Sequence, residues 1–272
     1  MSEVTPVPAA TVMVVRDAAD GIEVLMMERN LKSAFMPGAY VFPGGALDAA
    51  DNTAEALALC SGISDEQASR ALGIAAEGLA YWVAAIRESF EEAALLMAYG
   101  VEGRLVALED PHVIERFRRH RHALNHGERS LLDILRDERL VLAADRLVYF
   151  SHWITPVTAP RRYDTRFFVA AAPPEQVPLH DDYELVSHLW VRPADALDRC
   201  RQNRFKLRLP TMRTLEEFSA YASVDALMKA MRAKRSIPAI LPRLGKDGAR
   251  LVPGDPGYEA MVAPELQEPW KT

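Results

Sequence analysis

Leu79, Val83, Ile86, Phe90, Ala94 and Met97 recur at steps of three and four residues, a spacing that suits one face of an α-helix. Glu77 to about Ala98 is therefore expected to form one long amphipathic helix. With Phe90 at zero on a wheel of about 100° per residue, the other stripe residues fall within about 40° of it. Glu88 and Glu92 then lie side by side on the face away from the core, one turn apart, and Arg87 is spaced to hold Glu91 as an i, i+4 pair. Paired carboxylates of this kind suit a hard divalent cation, which favours oxygen ligands; a solvated acidic helix face is the alternative that spacing alone leaves open.

Around that helix the chain reads as alternating strands and helices. Ala9 to Val15 and Ile22 to Met27 flank a turn and predict a hairpin. In Phe35 to Asp51, Pro37-Gly38 and Pro43-Gly44-Gly45 bracket a short extended piece, Ala39 to Phe42, followed by a Gly-rich loop. Ser64-Asp65-Glu66 supplies a helix start within an alanine-rich stretch. Further helices are expected over His112 to Ala123, Leu131 to Asp137, Pro193 to Arg201 and Thr211 to Arg232, and strands over Leu147 to Ile154, Thr165 to Ala170 and Leu185 to Val191. Ile237 to Gly257 reads as an irregular, Pro- and Gly-rich arm. This order fits an α/β or an α+β sandwich.

Bulk properties exclude several classes. A net charge of −6 and a pI near 5.7 give no general attraction to nucleic acid or anionic membranes, so phosphate recognition has to come from local patches. Cys60 and Cys200 form neither a disulfide framework nor a zinc pattern, and are expected as buried free thiols. The first residues do not read as a signal peptide and no apolar run is long enough to cross a membrane as a helix, so a cytoplasmic protein is expected. The histidines show no zinc-hydrolase motif, and neither a GxSxG elbow nor a Walker loop occurs.

Arg-Glu-Ser-Phe-Glu-Glu-Ala-Ala-Leu (Arg87 to Leu95), read with the upstream Phe-Pro-Gly-Gly (Phe42 to Gly45), resembles the Nudix box. From Gly45, five residues lead to Asp51, in place of the first box glutamate. Residues 52 to 86, 35 in all, then separate Asp51 from Arg87 where seven are expected, an insertion of 28. Ser89 and Ala94 replace an apolar residue and the final glycine. The interrupted box, FMPGAYVFPGG and SHWITPVTAPRRYDTRFFVA together look like the Nudix branch of the nudix-motif-19 type coenzyme A diphosphatases. That resemblance implies a single domain over residues 1 to 272: a Nudix α/β/α sandwich with a mixed sheet, its core at about 8–235, a helical insertion at about 52–76 and additional helices. It implies hydrolysis of coenzyme A or acyl-CoA to 4′-phosphopantetheine and adenosine 3′,5′-bisphosphate. Mg²⁺ or Mn²⁺ would be held by Glu88, Glu92 and a backbone carbonyl near Gly45, with Arg87 and Glu91 completing the catalytic set and a box glutamate or Glu184 as the base. The alternatives are a diphosphatase for a dinucleotide, nucleotide sugar or ADP-ribose, and a silent Nudix ligand-binding module.

For substrate binding, Arg29, Gly38 and Gly44 match part of a coenzyme A signature seen in a related branch, with Asn30 standing for Ser or Thr and Ala34 at its basic position. Arg161 and Arg162 are placed to clamp a diphosphate; the competing reading for Arg162, Asp164 and Arg166, which alternation puts on one face, is an internal ion-pair ladder. The basic run Arg116 to His122 would attract a 3′-phosphate or form a solvated helix face. The expected partner is a small nucleoside diphosphate-linked molecule, with a homodimer as an open option. The insertion, which leaves the Gly-rich loop and rejoins at the glutamate helix, is expected beside the substrate opening.

Overall fold

A computed structural model describes residues 4–32, 36–157, 159–180, 185–244 and 250–260. The first strands are β1 (Val7–Ala18), β2 (Gly21–Arg29), β3 (Tyr40–Val41) and β4 (Gly44–Ala46). Helices α1 (Ala54–Ala58) and α2 (Asp65–Leu72) make up the insertion, and α3 (Leu79–Ala93) is the glutamate helix. There follow β5 (Ala98–Tyr99), α4 (Pro111–Asn125), α5 (Leu131–Asp137), β6 (Val141–Leu142), β7 (Val148–Ile154), β8 (Tyr163–Ala171) and β9 (Leu185–Val191). Helices α6 (Pro193–Arg201), α7 (Leu209–Phe218) and α8 (Val224–Arg232) precede β10 (Ala239–Ile240) and a small hairpin, β11 (Arg243–Leu244) with β12 (Arg250–Leu251).

The main sheet is mixed, in the order β10-β7-β8-β1-β2-β3, with β4 paired to β1 and β9 to β2. Strands β1 and β8 run parallel and β1 and β2 antiparallel. Toward its N-terminal end β1 parts from β2, and β4 pairs there, Gly44 and Gly45 lying opposite Thr11 and Ala10. This split delivers the glycine strand to the face where α3 packs. Alternation along β1 sends Ala10, Val12 and Val14 into a core with α3, and Met13 and Val15 into a second core with α6, α7 and α8. Helices on both faces of a mixed sheet make an α/β/α sandwich.

Helix α3 is buried almost all round, with Ile86 and Phe90 at most 1% exposed. Each such side chain contributes about 1.5–3 kcal/mol by leaving water. The helix is shorter than its apolar pattern, because Ala94 turns left-handed at φ +58° and ends it. Asp65 of α2 accepts hydrogen bonds from Leu79 N and Glu77 N and so caps the start of α3, about 13 Å along the helix axis from Glu88. Most of the insertion thus packs at the far end of α3 from the glutamates, and only its entry, near Asp51 and Ala56, approaches them.

Two other expectations are corrected. Thr211 to Arg232 is two helices, because Ser223 caps α8 through Ala226 N while Asp17 accepts from Val224 N. The C-terminal arm is not wholly irregular: Ala239–Ile240 pairs parallel to His152–Trp153 at the sheet edge. Cys60 and Cys200 are free but half-buried, and burial pushes the Cys60 thiol up to about 12. No helix among the described residues is long and apolar enough to cross a membrane.

Candidate active site

The geometry centres on Arg87. Its guanidinium donates to both oxygens of Asp51 at 2.9 Å, to Glu88 Oε1 at 2.8 Å, to Glu91 Oε2 at 2.9 Å and to the Ala46 carbonyl. Asp51 is 2% exposed and also accepts from Asp48 N, closing a capping box over the 3-10 turn Ala49–Asn52. The insertion has therefore not displaced Asp51 from Arg87. Gly45 is needed for close approach: a Cβ there would sit 2.4 Å from Glu88 Oε1. Gly44 N donates to Glu92 Oε2 at 3.0 Å, and a Cβ on Gly44 would meet the Ala10 carbonyl at 2.5 Å.

Glu88 and Glu92 do not stand on an open face, as the helical wheel predicts. Both are 8% exposed, because β4 lies over the side of α3 turned from the main core. Burial pushes Glu88 up to about 7 despite the opposing pull of Arg87, and burial likewise raises Glu91. For Arg87 burial acts downward, but the hydrogen bond to Asp51 and the charges of Glu88, Asp51 and Glu91 outweigh it and keep it charged.

One guanidinium against the three carboxylates it bonds, Asp51, Glu88 and Glu91, leaves an excess of carboxylate in a buried place. That excess and the all-oxygen donor set fit a hard divalent cation. Among the described residues no group of three Asp, Glu, His or Cys side chains converges closely enough to enclose a metal alone, so water or substrate oxygens would have to complete its shell. A cavity of about 260 Å³ adjoins the cluster, its lining including Asp51, Arg87 and Glu91 as well as Val83, Leu131 and Leu135.

The other expected binding residues separate. Arg29 and Gly38 are tied together, Gly38 N donating to the Arg29 carbonyl and Arg29 N to that of Ala39, with Gly38 at φ +66°. Arg161 is exposed. Arg162 is not an open clamp: it is 5% exposed and donates to the carbonyls of Thr155 and Val4. Arg166 donates to the Leu72 carbonyl, Tyr149 and His152, while His152 meets Asp164 at 2.5 Å. The ion-pair reading is thus realised for Asp164 with Arg166 and His152, while Arg162 is held by backbone carbonyls. In the basic run, Arg116 and His120 pair with Glu138. Glu184, with Asp181, Asp182 and Ala34, lies outside the described residues.

Arg121 escapes a reading by charge alone. It is 7% exposed and donates to the carbonyls of Glu91, Glu92 and His180. Its signal was its spacing, for Phe117, Arg121 and Leu124 form the buried stripe of α4.

The family model of the NUDT19 Nudix domain matches residues 62–217. The human acyl-coenzyme A diphosphatase NUDT19 is 30% identical over 280 residues, spanning 88% of this chain and 73% of that protein. The Gallus gallus protein of the same name is 31% identical, with 87% and 72% covered. The crystal structure of a NUDIX hydrolase from Alicyclobacillus acidocaldarius superposes with a TM-score of 0.70 at 27% identity, covering 84% of this chain and 97% of that one.

Proposed function

Since the chain belongs to the NUDT19 Nudix family, we propose that it hydrolyses the diphosphate bond of coenzyme A or acyl-coenzyme A with Mg²⁺ or Mn²⁺ bound at Glu88 and Glu92. The observation that carries the site assignment is the buried excess of carboxylate around Arg87 beneath Gly44 and Gly45. Nudix hydrolases generally use divalent ions, and a bound cation here would lower the pKa of water and offset charge on the diphosphate oxygens. Glu88 and Glu92, with a backbone carbonyl near Gly45, are the protein groups that would hold it. Arg87 keeps Glu88 and Glu91 aimed while itself anchored on Asp51. A box glutamate takes the proton from the attacking water, with Glu184 as the other candidate base. Gly44, with Arg29, Gly38 and Arg161, is the remaining proposed substrate contact, in a chain acting as one domain.

The test is a product assay on the purified chain with Mg²⁺ or Mn²⁺ and a panel of coenzyme A, an acyl-CoA, ADP-ribose, a dinucleotide and a nucleotide sugar. 4′-Phosphopantetheine and adenosine 3′,5′-bisphosphate from coenzyme A are expected. Faster cleavage of another member would overturn the substrate, and no cleavage of any would favour a ligand-binding module.

A further inference from the structure

We infer that Arg121 is a positioning residue for the proposed reaction, fixing the last turn of α3 so that Glu91 and Glu92 stay on the metal side; this rests on the metal reading of that site. The last carbonyls of a helix have no intrahelical donor. Here each has an identified one. Ser89 O accepts from Leu95 N, Phe90 O from Ala94 N and Ala93 O from Leu179 N. The two between them, belonging to the residues whose carboxylates enter the cluster, are served by one side chain: Arg121 Nε reaches Glu91 O at 2.8 Å and Nη2 reaches Glu92 O at 2.9 Å.

The planar fork makes this more than a point charge. Two donors held rigidly on successive carbonyls fix the rotation of that turn about the helix axis, which an ammonium group cannot do. A cation at a helix C-terminus is also favourable toward the macrodipole. The fork is itself held: Nη1 donates to His180 O at 3.3 Å, and Phe117, one turn before Arg121, meets Phe90 edge-on at 6.3 Å between centroids. Asn125 adds a second, exposed donor to Glu91 O at 3.2 Å. Rotating the turn would carry the Glu91 carboxylate off Arg87 and the Glu92 carboxylate off Gly44 N.

The experiment compares Arg121→Met, Arg121→Lys and Asn125→Ala in the full chain. Thermal melting and circular dichroism monitor the fold, titration of free Mn²⁺ by electron paramagnetic resonance reads the site without substrate, and kcat and KM are taken on whichever diphosphate the wild type cleaves. Folded Arg121→Met should bind Mn²⁺ and turn over about 10–100-fold less well, with KM nearly unchanged. Lys should fall between, and Asn125→Ala should weaken Mn²⁺ binding by only a few-fold. Lower melting temperatures with unchanged Mn²⁺ affinity and kcat would overturn the inference, leaving Arg121 a purely structural residue. If Arg121→Met does not fold, wild-type Mn²⁺ affinity in both Arg121→Lys and Asn125→Ala overturns it instead. Failure of the wild type to bind Mn²⁺ would defeat the metal reading itself, whereas weakened Mn²⁺ binding in the variants without coenzyme A hydrolysis would spare the positioning role and defeat only the substrate.

Discussion

Around Arg87 one guanidinium meets the carboxylates of Asp51, Glu88 and Glu91, with Glu92 one turn further on; around Asp164 a single carboxylate meets His152 and Arg166. Both clusters are largely withdrawn from water, yet their protonation runs in opposite directions. Burial pushes Glu88 up to about 7. Burial also acts upward on Asp164, but the hydrogen bond and charge of His152 and the charge of Arg166 outweigh it and hold that carboxyl below its ordinary value. The first cluster holds carboxylates in excess of its one cation and has room for a positive ligand, whereas the second gives its one carboxylate two nitrogen partners and has none. Two groups of ionisable residues that look alike in sequence are thus separated by stoichiometry.

Substitution within the unbalanced cluster should have the largest effect. Glu92→Gln keeps the shape and an acceptor for Gly44 N but removes a charge, and turnover should fall roughly 100-fold or more with the melting curve nearly unchanged. Wild-type kcat in a folded Glu92→Gln variant would remove the glutamate from the site and erase the distinction between the clusters.

The Asp164 cluster should behave the other way. Asp164→Ala strips His152 and Arg166 of their counter-charge, and because the Asp164 side chain is 29% exposed the cost is discounted to about 1–3 kcal/mol. Urea denaturation measures that loss. Mn²⁺ affinity should hold, and a parallel drop in both quantities would mean that the two clusters are coupled.

A third effect, of similar or smaller size, sharpens the contrast through pH. Folded Glu88 holds its proton more tightly than the unfolded chain does, so the stability it contributes is complete below the ordinary glutamate range and is lost as pH rises through about 7. Metal-free protein should therefore lose stability between about pH 4.5 and 7. Glu88→Gln should flatten that slope, and Mn²⁺ should restore stability at the upper end. A metal-free stability curve whose slope is the same in wild type and Glu88→Gln would show that burial does not perturb this carboxylate.

How much of this was legible in the sequence depended on whether a residue's surroundings were local. Leu131–Asp137, Leu185–Val191 and Pro193–Arg201 occur at the expected bounds, since caps, prolines and apolar periodicity lie within the segment itself. The pairing of Arg87 with Glu91 followed from helical spacing, whereas the bond from Arg87 back to Asp51 spans the insertion and was not legible. The burial of Glu88 and Glu92 did not, because a wheel assumes one core and cannot see that a glycine strand far upstream covers the opposite face. Ala239–Ile240 shows no strand signal of its own and is recruited by the open edge of β7. Arg162 looked like a clamp by charge, but its donors are taken by distant carbonyls.

The smallest expected effect asks whether backbone strain, rather than charge, sets the glutamates in place. Ala94 ends α3 at φ +58° and ψ 20°, where a side chain is disfavoured by about 1–2 kcal/mol. Glycine there would relieve the strain, while greater freedom in the unfolded chain offsets about 0.4–1 kcal/mol of the gain. Ala94→Gly should therefore stabilise the protein by no more than about 1.6 kcal/mol in denaturant unfolding. Because the carbonyls of Glu91 and Glu92 keep Arg121 as their donor, kcat should change by less than about twofold, a barrier difference under about 0.5 kcal/mol. A large change in kcat with unchanged stability would mean that the strained turn aims the carboxylates, and the charge excess around Arg87 would then account for metal attraction but not for its geometry.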